Sequence, residues 1–126
     1  MIAGTVNDAL EAIIRLTLQG PTQQQDTVEA VIDPGFDGYL TLPSALVARL
    51  GLPWRRKTRG VLADGSERVF DIHEGTVVWN GRRRRIAIDV ADTAPLVGMA
   101  LLYGSALALD VVEGGAVVIK PLTATP

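Results

Sequence analysis

Three glycine turns cut the second half of this chain into short apolar runs, and that punctuation constrains its fold more than any other feature. Asp64-Gly65-Ser66 separates Val61-Leu62-Ala63 from Glu67-Arg68-Val69-Phe70, and Asn80-Gly81 separates Thr76-Val77-Val78-Trp79 from residues 85–90. Glu113-Gly114-Gly115 separates Leu107-Ala108-Leu109-Asp110-Val111 from Ala116-Val117-Val118-Ile119. Asp-Gly and Asn-Gly supply the positive φ angles of tight hairpin turns, so each flanking pair reads as two antiparallel strands. In residues 85–90, Ile86, Ile88 and Val90 alternate with Arg85, Ala87 and Asp89, the period of a half-buried strand.

The first half follows the same grammar. Ala12, Ile14, Leu16 and Leu18 fall on one side of a strand over residues 11–18. A polar turn, residues 20–26, leads to a second strand over residues 27–32, which ends at Asp33. Residues 43–51 read as a short helix, with Pro43 suited to its first turn and Gly51 to the position past its end. Residues 95–104 can hold a short strand and a short helix, and residues 67–79 a long strand. The sum is seven or more short strands with one or two short helices: an all-β sandwich or barrel. At 126 residues the chain has the length of one domain, 1–126.

Composition removes several kinds of chemistry. There is no cysteine, hence no disulfide, thiolate metal site or cysteine nucleophile. A single histidine, His73, lies inside the long strand and reads as structural, so neither a serine triad nor a metal cluster is expected. No phosphate-binding glycine loop is present, and no cofactor is expected. The net charge of −2 gives no general attraction to nucleic acid or anionic membrane. Two basic runs, Arg55-Arg56-Lys57 with Arg59 in a loop and Arg82-Arg83-Arg84-Arg85 opening a strand, read as solvated surface. The N-terminal residues do not form a signal peptide, and Pro95, Gly98 and Gly104 break the longest uncharged stretch. A cytoplasmic protein with no membrane or nucleic-acid partner is the expectation.

What remains is carboxylate chemistry, and Asp33 has the most telling surroundings. An apolar strand delivers it, and Pro34-Gly35 turns the backbone immediately after it. Asp-Pro-Gly is also good turn chemistry, and these residues alone favour a turn-capping aspartate. Asp37 reads as a solvated turn residue and Asp64 as part of its hairpin turn.

Residues 30–43, Ala30-Val31-Ile32-Asp33-Pro34-Gly35-Phe36-Asp37-Gly38-Tyr39-Leu40-Thr41-Leu42-Pro43, resemble the active-site segment of the retropepsin-like aspartic proteases, which is two apolar residues, Asp-Thr/Ser-Gly and a strand. Leu96-Val97-Gly98 resembles that family's second signature, which threads beside the catalytic strand and leads into a short helix. Ala63-Asp64-Gly65-Ser66 falls between them, where the family carries its flap. The order and spacing of the motifs resemble those of small bacterial members.

The resemblance implies a closed barrel forming a single lobe, with Asp33 as the catalytic carboxylate, Pro34 and Gly35 in its loop, and Leu96, Val97 and Gly98 supporting that loop. It implies a homodimer that pairs two Asp33 side chains over an extended peptide or protein substrate. One position departs from the pattern: Pro34 stands where the family has Thr or Ser. Proline lacks the hydroxyl and N–H that tie the two loops together, so impaired activity is expected. A catalytically silent peptide-binding dimer of the same fold is the alternative.

Overall fold

The computed structural model describes residues 1–123, and it is mostly β. The strands are β1 (Ile2–Val6), β2 (Ala12–Gln19), β3 (Gln25–Ile32), β4 (Leu40–Leu42), β5 (Trp54–Val61), β6 (Glu67–Trp79), β7 (Arg82–Val90), β8 (Leu96–Val97), β9 (Ser105–Leu109) and β10 (Ala116–Pro121). Two short helices interrupt them, α1 (Ser44–Arg49) and α2 (Met99–Leu102).

The hairpins form where the glycine turns predict them. Gly65, Gly81 and Gly114 all take positive φ, as does Asn80 at 50°. An added Cβ at any of these three glycines would meet open space, so they serve backbone conformation and not packing. The β2 reading holds residue by residue: Ala12, Ile14, Leu16 and Leu18 are buried and their neighbours are not.

Helix α1 is anchored from outside. Pro43 occupies the extended position just before the first turn, one residue earlier than expected. Asp92 accepts hydrogen bonds from the Ser44 amide (2.9 Å) and hydroxyl (2.8 Å), giving the helix the cap that its own sequence lacks. These two bonds hold the Asp92 carboxyl below the usual carboxylate range. At the other end Gly51 takes φ +63°, its N–H donates to Ala48, and the Leu52 N–H donates to Val47. That pair of bonds is a Schellman C-terminus.

The sheet runs β5-β6-β7-β4-β8-β3-β2-β1-β10-β9 and curls until β6 also meets β2. The curl makes a ring, β2-β3-β8-β4-β7-β6, closed through only two residue pairs, Leu18 with Val77 and Gln19 with Thr76. Ile14, Leu16, Leu40, Leu42, Ile88 and Val97 fill its interior and are essentially fully buried. Each such side chain contributes roughly 1.5–3 kcal/mol on leaving water. Outside the ring, β5 extends one edge and the β1-β10-β9 group the other.

Further local expectations change: Asp110 and Val111 lie beyond β9, which ends at Leu109. The run Arg55-Arg56-Lys57 with Arg59 lies on β5, not in a loop. Ladder bonds to β6 hold this strand, which has almost no buried face, so its apolar pattern is absent. Conversely, Leu62 and Ala63 belong to the turn, not to the strand before it.

Candidate active site

Asp33 follows β3 directly, where three strands converge. β8 runs parallel to β3, pairing Val31 with Leu96 and Ile32 with Val97, while β4 meets β8 antiparallel at Leu40–Val97. The Asp33 N–H donates to the Val97 carbonyl at 2.9 Å, and the Phe36 N–H donates back to the Asp33 carbonyl at 3.0 Å. The Asp33 Oδ1 accepts from the Gly35 N–H at 3.0 Å, the turn bond that this residue type favours before such a bend. Both backbone groups and one carboxylate oxygen are thus engaged.

The loop from Pro34 to Tyr39 is laced to the start of α2. The Gly98, Met99 and Ala100 amides donate to the carbonyls of Tyr39, Phe36 and Gly38, at 3.0, 2.8 and 3.1 Å. Such closeness demands glycine: a Cβ at Gly98 would stand 2.1 Å from the Gly38 carbonyl oxygen, and one at Gly38 2.5 Å from the Phe36 ring. Leu96, Val97 and Gly98 therefore lie against the Asp33 loop. Thr41, the one buried polar side chain among the described residues, completes the lacing by accepting the Leu96 N–H on Oγ1 at 2.9 Å.

A cleft of about 710 Å³ opens over this loop. Asp33, Gly35, Phe36 and Asp37 line its floor, and Gly60, Val61, Leu62 and Phe70 of the β5–β6 hairpin overhang it. Ala63, Asp64, Gly65 and Ser66 form the hairpin tip and are not among the lining residues. Asp64 Oδ1 accepts the Ser66 hydroxyl (2.6 Å) and amide (2.9 Å), and these bonds hold its carboxyl below the usual range.

Sequence reasoning missed Asp89 and Arg56, which also line the cleft. Alternation along β7 correctly separates Asp89 from buried Ile86 and Ile88, but the opposite face of the strand looks into the cleft and not into bulk water. Burial raises the Asp89 carboxyl above the usual range; the charge of Asp37 adds to this and Arg56 opposes it. His73 is structural in its contacts, with Nδ1 donating to the Leu52 carbonyl at 2.8 Å. From the basic runs, Arg55 and Arg85 both pair with Glu74.

No protein-family model and no curated protein sequence matches this chain. A solved structure does: EIAV protease, complexed with the inhibitor HBY-793, superimposes with a TM-score of 0.56 at 20% identity. The match covers 73% of this chain and 85% of that one. The likeness is one of fold, and the chain has a retroviral-protease-like β architecture. Among the described residues no helix is long and apolar enough to cross a membrane.

Proposed function

We propose that two copies of this chain, each a single domain over residues 1–126, form a cytoplasmic homodimeric aspartic endopeptidase of the retropepsin-like kind. Each copy supplies one Asp33. Two carboxylates at close range cannot both ionise easily, so the pair holds one shared proton. The ionised carboxylate takes a proton from a water as that water attacks the scissile carbonyl carbon, while the protonated partner donates to the carbonyl oxygen. Collapse of the tetrahedral species, with a proton passing to the leaving amine, breaks the peptide bond. No cofactor or metal is needed. The β5–β6 hairpin with its Ala63–Ser66 tip acts as the flap, closing over an extended peptide and excluding water.

The observation that carries this reading is Asp33 itself: tied to the Val97 strand by its backbone, it lines the floor of a peptide-sized cleft beneath a hairpin. Pro34 bears on the rate. It leaves the loop without the hydroxyl and N–H that would bridge the two copies, and buried partner groups left unpaired cost about 1–3 kcal/mol each. Weak activity is the expected state of the native chain.

The test is cleavage of a peptide library at mildly acidic pH. Native chain should cleave slowly, Pro34→Thr faster, and Asp33→Asn slower than native by roughly 10²–10⁴-fold. Cleavage that persists in Asp33→Asn would sink the proposal, and equally robust cleavage by native chain and Pro34→Thr would refute the impairment. Pro34 also favours a second reading, a silent peptide-binding dimer; saturable peptide binding with no cleavage even by Pro34→Thr would select it.

A further inference from the structure

A second hollow, separate from the cleft over Asp33, opens at the other end of β7 from Asp89. One face of that strand takes every second residue, and on it Ile86 and Ile88 are buried in the core. The same face continues as Arg84 and Arg82, so two guanidinium groups stand where the strand's own pattern asks for apolar side chains. Their partners across the hairpin, Val77 and Trp79, are buried. There the two arginines, with Trp79, Tyr103, Ser105 and Pro121, line a pocket of about 450 Å³, room enough for a small organic molecule. None of these residues lines the cleft.

The positive charge in this pocket is unanswered. No Asp or Glu lines it, and neither arginine has a carboxylate within ion-pair distance among the described residues. Arg85, on the opposite face of β7, differs in that it pairs with Glu74. Arg84 is half-buried, and its Nη1 donates only to the neutral Leu101 carbonyl, at 3.5 Å, the limit of a hydrogen bond. A guanidinium has five N–H donors, so that bond leaves most of them free for a ligand. Tyr103 is 75% exposed and offers its ring at the rim, while Ser105 adds a hydroxyl to the wall.

We infer that this pocket binds a phosphate monoester bearing an aromatic ring. Arg82 and Arg84 hold the phosphate, the Ser105 hydroxyl donates to it, and the ring lies on Tyr103. A carboxylate has one charge and two oxygens, which a single guanidinium fork satisfies; a phosphate dianion has the charge and the oxygens for two forks and a hydroxyl. Stacking on an exposed tyrosine favours a flat ring over an aliphatic ester. The site is independent of any proteolysis at Asp33.

Calorimetric titration of the full chain with phenyl phosphate tests the pocket, at about pH 7.5 so that the ester is mostly the dianion. One molecule should bind per chain, and benzoate and phenol should bind at least about tenfold more weakly. Arg82→Gln and Arg84→Gln should each cut the affinity about tenfold or more, as loss of a charge-assisted bond does. Arg83→Gln should leave it unchanged, because that side chain points to the other face of β7 and lines a different hollow, beside Gln19 and Gln25. Tyr103→Ala should weaken phenyl phosphate and not inorganic phosphate. If Arg84→Gln does not fold, Arg82→Gln, at an exposed position, decides the matter. Equal losses from Arg82→Gln and Arg83→Gln would overturn the pocket, since the arginine run would then act as a diffuse cationic surface. Tighter, steeply salt-dependent binding of a single-stranded oligonucleotide, weakened alike by both changes, would overturn it too. So would a native chain that binds no phenyl phosphate at millimolar concentration, and an unchanged affinity in Tyr103→Ala would overturn the part given to the ring.

Discussion

Around Asp33 the backbone is tied down at each step, to Val97 before the turn and from Gly98, Met99 and Ala100 after it, with Leu40 and Val97 fully buried beneath. In the β5–β6 hairpin that overhangs it, strand pairing is nearly the whole anchorage: Arg55, Arg56, Lys57, Arg59 and Val61 are exposed on one strand, and Glu67, Arg68 and Val69 on the other. Segments with few buried apolar contacts open at low free energy, and segments laced into a core open only with it. The contrast places the tightly held backbone in the floor of the cleft and the weakly anchored one in its roof, as the proposed flap would require.

Substitutions that add one methyl group probe the two regions on equal terms. Gly98→Ala puts a Cβ 2.1 Å from a backbone oxygen that cannot move aside, and it should destabilise the fold by about 3 kcal/mol or more, the upper end of overpacking costs. Urea denaturation measures this directly; a loss below about 1 kcal/mol would mean that the floor yields as the roof does. Thr41→Val keeps the volume but leaves the Leu96 N–H without its acceptor, at an expected cost of about 1–3 kcal/mol in the same assay. Gly65→Ala, at the hairpin tip, meets open space and only the strain of φ +84°, so about 1–2 kcal/mol bounds its effect from above. Since that cost falls on a segment able to open by itself, amide exchange should quicken in residues 54–70 and stay unchanged around Asp33.

Asp89 lies between floor and roof, and its effect should be the smallest. Its carboxyl is raised in the folded chain, so folding favours the protonated form. The penalty is absent below the ordinary value of 3.8, grows as pH rises through the window between that value and the raised one, and is complete above it. Asp89→Asn should therefore raise the melting temperature slightly at pH 7 and not at all well below pH 3.8. A gain that is the same at both pH values would show that burial of charge at Asp89 is not the cause.

The comparison of floor and roof also divides what could be read from the amino acids. Apolar alternation reveals β2 because Ala12, Ile14, Leu16 and Leu18 each enter the core, and the glycine turns reveal the hairpins because positive φ selects the residue type. β5 gives no such sign: its residues satisfy their backbone through β6 and bury little. β1, Ile2-Ala3-Gly4-Thr5-Val6, hides for a related reason, since its small residues lie between β2 and β10 with only Val6 buried. Thr41 looks like any strand threonine until β8 is laid beside it.

For Asp33 itself, local sequence determined that a strand ends there and that the chain turns at once, because strand period and turn chemistry act over a few residues. That the turn lies under a cleft, beside Val97 and below the β5–β6 hairpin, was decided only by pairings between residues 48 to 65 positions apart along the sequence. Those pairings depend on shape complementarity around Gly98 and on which face of β7 looks inward, and both arise when distant segments pack, not from the residues of any one segment.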